Sequence, residues 1–321
     1  MPLKGILMKS TGVLAFSLAV LAAGCAQNNG PLVGLTPSQS DNAATTQLST
    51  TGRSSLAAKA SYLYASTRNV DVTLYSYPQL SQLGRVSDSS AAGMCADNDG
   101  NVYVAESGTS ELTEYQAGTL TPMRTIDDTN YAPVSCAINP KNGDLAVTNS
   151  AGMVGGKSKP GSIALFEKAT GSPKIYKNRS INSFAYCGYD QSGNLYVDGL
   201  ASKGGFVLAE LNGSKLTSLG INWTIAQPGA VAWDSVNKAL LVNDTSGFLY
   251  RFYVYNDYAH YSNYTALNGA LSLGSNVSFK GKFVAAATSS QVAVWAFPSG
   301  DGPKYYFNAS NIVGIAFSTT K

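Results

Sequence analysis

The chain has 321 residues, a formal charge of +3 and only 13% charged residues, about half the usual share for a soluble domain. Its Lys and Arg are scattered singly, and without a basic stripe nucleic acid is not the expected partner. One hydrophobic segment stands at the N-terminus, and no later apolar run reaches the length of about 18 residues that spans a bilayer.

Residues 1–25 read as a targeting segment. Lys4 and Lys9 give a positive n-region, and Thr11 to Ala23 is an apolar stretch of 13 residues, too short for a transmembrane helix and right for a signal peptide. The stretch ends in Leu21-Ala22-Ala23-Gly24-Cys25, which resembles a bacterial lipoprotein lipobox. That resemblance implies cleavage before Cys25, acylation of its thiol and a membrane anchor in the cell envelope; a cleaved secretory signal is the other reading. Residues 26–60 are rich in Ser, Thr, Asn, Gln and Gly and are expected to be a flexible polar tether.

From Ser61 onward the chain alternates short β-rich runs with turns. Ser61 to Ser66, Val72 to Tyr77 and Leu83 to Ser87 predict three strands. The stretch GMCADNDGNVYV at 93–104 then sets a pattern: apolar strand, Asp/Asn/Gly turn, β-branched strand. It recurs as SCAINPKNGDLAV, YCGYDQSGNLYV, AVAWDSVNKALLV and NVSFKGKFVAA, with turn residues Gly100, Gly143, Gly193, Asn237 and Gly281 spaced 43, 50, 44 and 44 apart. That period predicts blade-type repeats. VGIAFS at 313–318 looks like the first strand of one more repeat, and the unit at 61–87 lacks such a strand. The expected fold is therefore an all-β, six-bladed β-propeller over 61–321, closed by the C-terminal strand joining the N-terminal blade, with no exposed sheet edge at the seam.

The recurring Asp-x-x-Gly-Asn-φ-Tyr-Val core resembles NHL-type and gluconolactonase-like six-bladed propellers. The Cys-bearing copies look like those of a group of uncharacterised bacterial propeller lipoproteins, a resemblance that implies no activity. The gluconolactonase-like likeness implies a divalent cation, Ca²⁺ or another, held by Glu106, Asn149 and Asp198, and a lactonase or esterase reaction. Oxygen ligands of this kind suit Ca²⁺.

Glu106, Asn149, Asp198 and Asp244 follow the second strand in four successive repeats. They are the candidate ligand-binding residues, on the face where such a ring opens; the alternative is that they cap the following turns. Asp97, Asp190 and Asp234 are expected to be turn-makers on the opposite face. Cys95, Cys136 and Cys187 fall on innermost strands and are expected to pack as small apolar residues, one disulfide with one free thiol being the other outcome. Gly155-Gly156-Lys157-Ser158 lacks the first Gly and the helix of a phosphate-binding loop. His260 is the only His, which disfavours sites built on several imidazoles; it is expected in a surface loop. Tyr250, Tyr253, Tyr255, Tyr258, Tyr261 and Tyr264 crowd that region, as strand residues, as a sugar-stacking surface or as a protein-binding patch. The expected function is a lipid-anchored extracytoplasmic module binding a small molecule, glycan or protein, with no catalytic residue assigned; the alternative is the metal-dependent hydrolase.

Overall fold

The computed structural model describes residues 60–321, apart from 129–130, 155–156, 245 and 268–275. The expected leader, Cys25 and residues 26–59 of the expected tether lie outside the described residues.

The described chain folds into successive antiparallel meanders of four strands. The first comprises Ser61–Thr67, Asp71–Tyr77 and Gln82–Ser87, completed by the C-terminal strand Ile312–Thr319. The second is Ala91–Ala96, Val102–Glu106, Glu111–Tyr115 and Pro122–Asp127. The third is Ala132–Ile138, Leu145–Ser150, Ser162–Phe166 and Lys174–Tyr176. The fourth is Ser183–Tyr189, Leu195–Leu200, Phe206–Asn212 and Lys215–Ile221. The fifth is Val231–Asp234, Ala239–Asn243, Phe248–Tyr255 and Tyr258–Ala266, and the sixth is Ser278–Lys280, Phe283–Ala287, Gln291–Ala296 and Gly300–Asn308. The fourth and fifth share one sheet because their outer strands run parallel at Gly220↔Tyr258 and Ile221↔Ala259. A Cβ on Gly220 would overlap the Tyr258 ring, so only glycine permits this approach.

The expected end-to-end pairing is present. Ile312–Thr319 runs antiparallel to Ser61–Thr67, with Leu63 opposite Phe317 and Tyr64 opposite Ala316. Between the second and third strands of the third meander, Gly152–Val154 and Lys157–Lys159 pair as a small hairpin of their own.

Burial explains the strand patterns. In Val102–Glu106 the first four residues are buried, whereas Gln82–Ser87 is exposed or half-exposed throughout. Second strands are covered on both faces and lose the polar alternation that outer strands keep. The apolar residues gather into clusters shared by neighbouring meanders. Tyr64 and Ala316 pack with Met94 and Val104, joining first to second. Tyr103 packs with Leu145 and Phe166, Ile163 with Phe184 and Val197, and Tyr196 with Leu240 and Phe252. Leu249 meets Val284 and Trp295, and Val294 meets Leu63 and Ile315, joining sixth back to first. Each fully buried large side chain contributes about 1.5–3 kcal/mol, so the stability of the fold lies in these seams.

Candidate functional site

The turns between first and second strands are built as the sequence implies. Asp97 Oδ1 accepts the Asp99 and Asn101 backbone N–H groups, both at 2.8 Å. Asp190 Oδ1 does the same for Ser192 and Asn194, at 2.8 and 2.9 Å. Asp234 accepts from Val236 and Asn237, and its Oδ2 also takes a bond from Arg251 at 3.2 Å. Burial pushes the Asp234 carboxyl up, but the Asn237 bonds and the Arg251 guanidinium outweigh it and hold it below its ordinary value. Gly100, Gly143 and Gly193 have φ of 87°, 81° and 90°. In the fifth meander the left-handed residue is Lys238 (φ 50°), one place after the expected Asn237.

Counting from these left-handed residues sorts the four candidate site residues. Glu106, Asn149 and Asp244 stand six residues beyond Gly100, Gly143 and Lys238, whereas Asp198 stands five beyond Gly193. Cross-strand pairing gives the same register, since Val104, Val147, Val197 and Val242 face Met94, Cys136, Cys187 and Val231. A one-residue offset on a strand turns a side chain to the other face. Asp198 therefore does not share a side with Glu106 and Asn149, and the three do not form one cation-ligand set. Among the described residues no group of three His, Cys, Asp or Glu side chains has metal-holding geometry.

Each of the four has its own partners. Glu106 accepts from Thr109 Oγ1 at 3.1 Å and from Thr113 Oγ1, both on its own hairpin; burial raises its carboxyl pKa. Asn149 is fully buried and donates to Ser162 Oγ at 3.3 Å. Asp244 Oδ1 accepts the Ser246 N–H at 2.8 Å and the Ser246 hydroxyl, an Asx turn. Asp198 is 0% exposed; its Oδ1 accepts the Tyr186 N–H at 2.8 Å and its Oδ2 the Gly229 N–H of the next meander at 3.2 Å. Burial raises its carboxyl pKa far more than these two bonds lower it. Thr148, at the equivalent place in the third meander, also bonds across the seam, to Ala185 O at 2.6 Å. The position is one that joins meanders.

Cysteine pairing departs from the packing expectation. Cys95 and Cys136 form a disulfide between the innermost strands of the second and third meanders, with their Cα atoms 5.5 Å apart. The strands share no ladder, yet a Cβ on Gly93 would clash with the Val134 carbonyl. That glycine brings the two strands within bonding reach. Cys187 is free and buried, and burial pushes its thiol pKa up, which makes it a poor nucleophile.

Two features carry no sequence signal of this kind. Asp128, directly after Pro122–Asp127, is fully buried beside the Asn149 amide. Burial pushes its carboxyl up to about 7, against a smaller lowering from Asn149. The second feature lies on the rim of the fifth meander. Trp223, in the connection from the fourth meander, is 40% exposed and stacks on Tyr261 with centroids 3.9 Å apart and planes 14° off parallel. Tyr250 lies among Trp223, Phe248, Tyr261 and Tyr264, at 5.9, 6.0, 6.4 and 6.4 Å. Its hydroxyl is 3.2 Å from Ser246 Oγ, next to Asp244. Tyr250, Tyr261 and Tyr264 thus lie with Asp244, whereas Tyr255 and Tyr258 flank the turn at the far end of the same strand pair, so the tyrosine-rich stretch divides into two places. His260 sits in the strand Tyr258–Ala266, not in a loop, and stacks on Tyr255 at 3.8 Å. Asn256 and Asp257, both at φ 55°, make a two-residue turn that lets the strands continue to the tip.

No protein-family model and no curated protein matches the chain. Solved structures do resemble it. One is the crystal structure of a nidogen/laminin complex, with TM-score 0.60 and 12% identity over 80% of this chain and 98% of that one. Another is a protein of unknown function from Bacteroides caccae, with TM-score 0.61 and 11% identity over 81% of this chain and 99% of that one. Identities this low speak to fold alone. The chain has a β-propeller-like all-β fold.

Proposed function

We propose that the chain is a lipid-anchored, extracytoplasmic six-bladed β-propeller acting as a binding or interaction module. The carrying observation is the series of apolar seams, the last of which joins the sixth meander back to the first. The Cys95–Cys136 disulfide supports an oxidising compartment, in line with the leader and the lipobox-like Cys25. In this reading the binding face is the rim whose turns Glu106, Asn149 and Asp244 support, and Asp198 lies in a seam beneath it. A structural neighbour solved in a nidogen/laminin complex adds weight to a docking role.

Two measurements test this. Replacing Cys25 with Ser should remove acyl labelling and release the protein from the membrane fraction; an unchanged distribution overturns the anchor. Photo-crosslinkers placed in the full chain at Glu106 and Tyr264, on the rim, should give saturable adducts with a glycan or protein of the envelope. A crosslinker at exposed Lys168 on the opposite face is the control. Equal labelling from both faces, or none from the rim, overturns the binding module.

A further inference from the structure

We propose that the rim of the fifth meander is a carbohydrate-binding platform for a neutral pyranose ring, with Trp223 as its stacking surface. This deepens the binding-module reading and rests on it.

The platform is held in place. Tyr261 covers one face of the Trp223 indole in near-parallel contact at 3.9 Å, and the neighbouring Asn222 side chain accepts the Tyr261 N–H at 2.7 Å. The indole is nonetheless 40% exposed. Tyr264 is 52% exposed and packs edge-on against Phe248 at 4.8 Å. Both rings flank Tyr250, which is only 8% exposed. Exposed aromatic rings held rigidly are surfaces that gain by being covered.

Polar groups stand beside the rings. The exposed Ser246 hydroxyl lies 3.2 Å from the Tyr250 hydroxyl and donates to Asp244 Oδ1, a carboxylate that is itself only 4% exposed and holds Ser246 from below. A pyranose has a C–H face that lies flat on an aromatic ring and an edge of hydroxyls that exchange bonds with a serine hydroxyl such as that of Ser246, which the Asp244 carboxylate orients. An anionic ligand would meet the Asp244 carboxylate. A quaternary ammonium requires rings facing one another as a cage, whereas Trp223 has one face taken by Tyr261 and offers a flat surface.

The test uses the lipidated full chain in detergent and the probes maltohexaose, cellohexaose and chitohexaose, with a neutral-glycan array and with choline as the contrasting ligand. Among the three tryptophans, Trp295 is fully buried and Trp233 is half-buried against Tyr196, so a change in emission on saccharide binding that Trp223→Phe removes reports on Trp223. At least one probe should saturate with Kd at or below about 1 mM. Trp223→Ala should weaken it about tenfold or more, and Tyr264→Ala several-fold, on the scale of aromatic hot spots. Tyr306→Ala, at an exposed tyrosine of the sixth meander, should change nothing. Tyr264→Ala and Asp244→Asn keep the test readable should Trp223→Ala fail to fold. Failure of every neutral glycan to bind, binding indifferent to Tyr264 and Asp244, or preference for choline overturns the proposal. A protein adduct from the rim crosslinkers without glycan binding removes the sugar and keeps the module; loss of both removes both.

Discussion

Asp198 and Asp244 look alike in the sequence, each an acid closing a second strand, and the fold gives them opposite surroundings. Asp198 is buried in the seam between the fourth and fifth meanders, its two oxygens holding backbone N–H groups from both. Asp244, also nearly buried at 4% exposure, holds its own turn on the rim, near an exposed tryptophan. The difference is one residue of register. It separates residues that tie the meanders together from residues that hold the turns of the rim, and mutations at the two kinds of place should separate in the same way.

The largest seam effect should come from the Cys95–Cys136 bond. It closes a sequence separation of 41 residues, for which chain entropy alone implies about 4 kcal/mol. The Cys95→Ser, Cys136→Ser double variant, or reduction of the native protein, should lower the urea midpoint accordingly while leaving saccharide titrations unchanged. Unaltered stability would show that this seam is held without the disulfide.

Asp128 should come next, through pH. Its carboxyl is pushed up to about 7 in the fold, against about 3.9 in an unfolded chain. The folded state therefore holds the proton more tightly, so stability is complete below about pH 4 and falls as pH rises through the window from about 4 to 7. Asp128→Asn should abolish the decline, making the variant about 3 kcal/mol more stable relative to the native chain at pH 8 than at pH 4. Parallel curves for the two proteins from pH 4 to 8 would place the Asp128 carboxylate in a solvated site.

Asp198→Ala should destabilise by about 2 kcal/mol, because the Tyr186 and Gly229 N–H groups lose their acceptor in a buried place. Asp198→Asn keeps an acceptor oxygen and removes a carboxyl whose charged form burial disfavours, so it should lose less. Equilibrium urea unfolding of both variants decides this. An alanine variant as stable as the native protein would make the cross-seam bond to Gly229 dispensable.

Much of the fold was legible because it is written several times. The 43–50 residue spacing, the turn aspartates and the orphan strand at 313–318 each repeat or complete a pattern, and Asp97, Asp190 and Asp234 cap their turns as read. What was not legible depends on distances between repeats. The disulfide needs the close approach that Gly93 permits, and the two cysteines stand at different distances from their own turns. Asp198 was grouped with Glu106 and Asn149 because the sequence shows order along a strand but not which face a side chain takes. Asn237 occupies the place where glycine stands in the second to fourth repeats, while Lys238 takes the left-handed conformation, which hid the common register of Asp244 with Glu106. Trp223 lies in a connection outside the repeat, so no periodicity points to it.

Asp244→Asn should be the smallest perturbation of the fold. An amide keeps the Oδ1 that accepts from the Ser246 N–H, and Asn holds Asx turns as well as Asp does. Asp244 is only 4% exposed, but because its turn bonds are kept the expected loss is under about 1 kcal/mol, the scale of one weakened hydrogen bond. Binding should respond more strongly: the carboxylate orients the exposed Ser246 hydroxyl more firmly than an amide oxygen does, so saccharide affinity should fall several-fold while the urea midpoint moves little. Asp198→Asn supplies the mirror image, a shifted midpoint with affinity retained. Should both variants shift midpoint and affinity together, the one-residue register would no longer separate seam from rim, and Asp244 would belong with the residues that hold the fourth and fifth meanders in place.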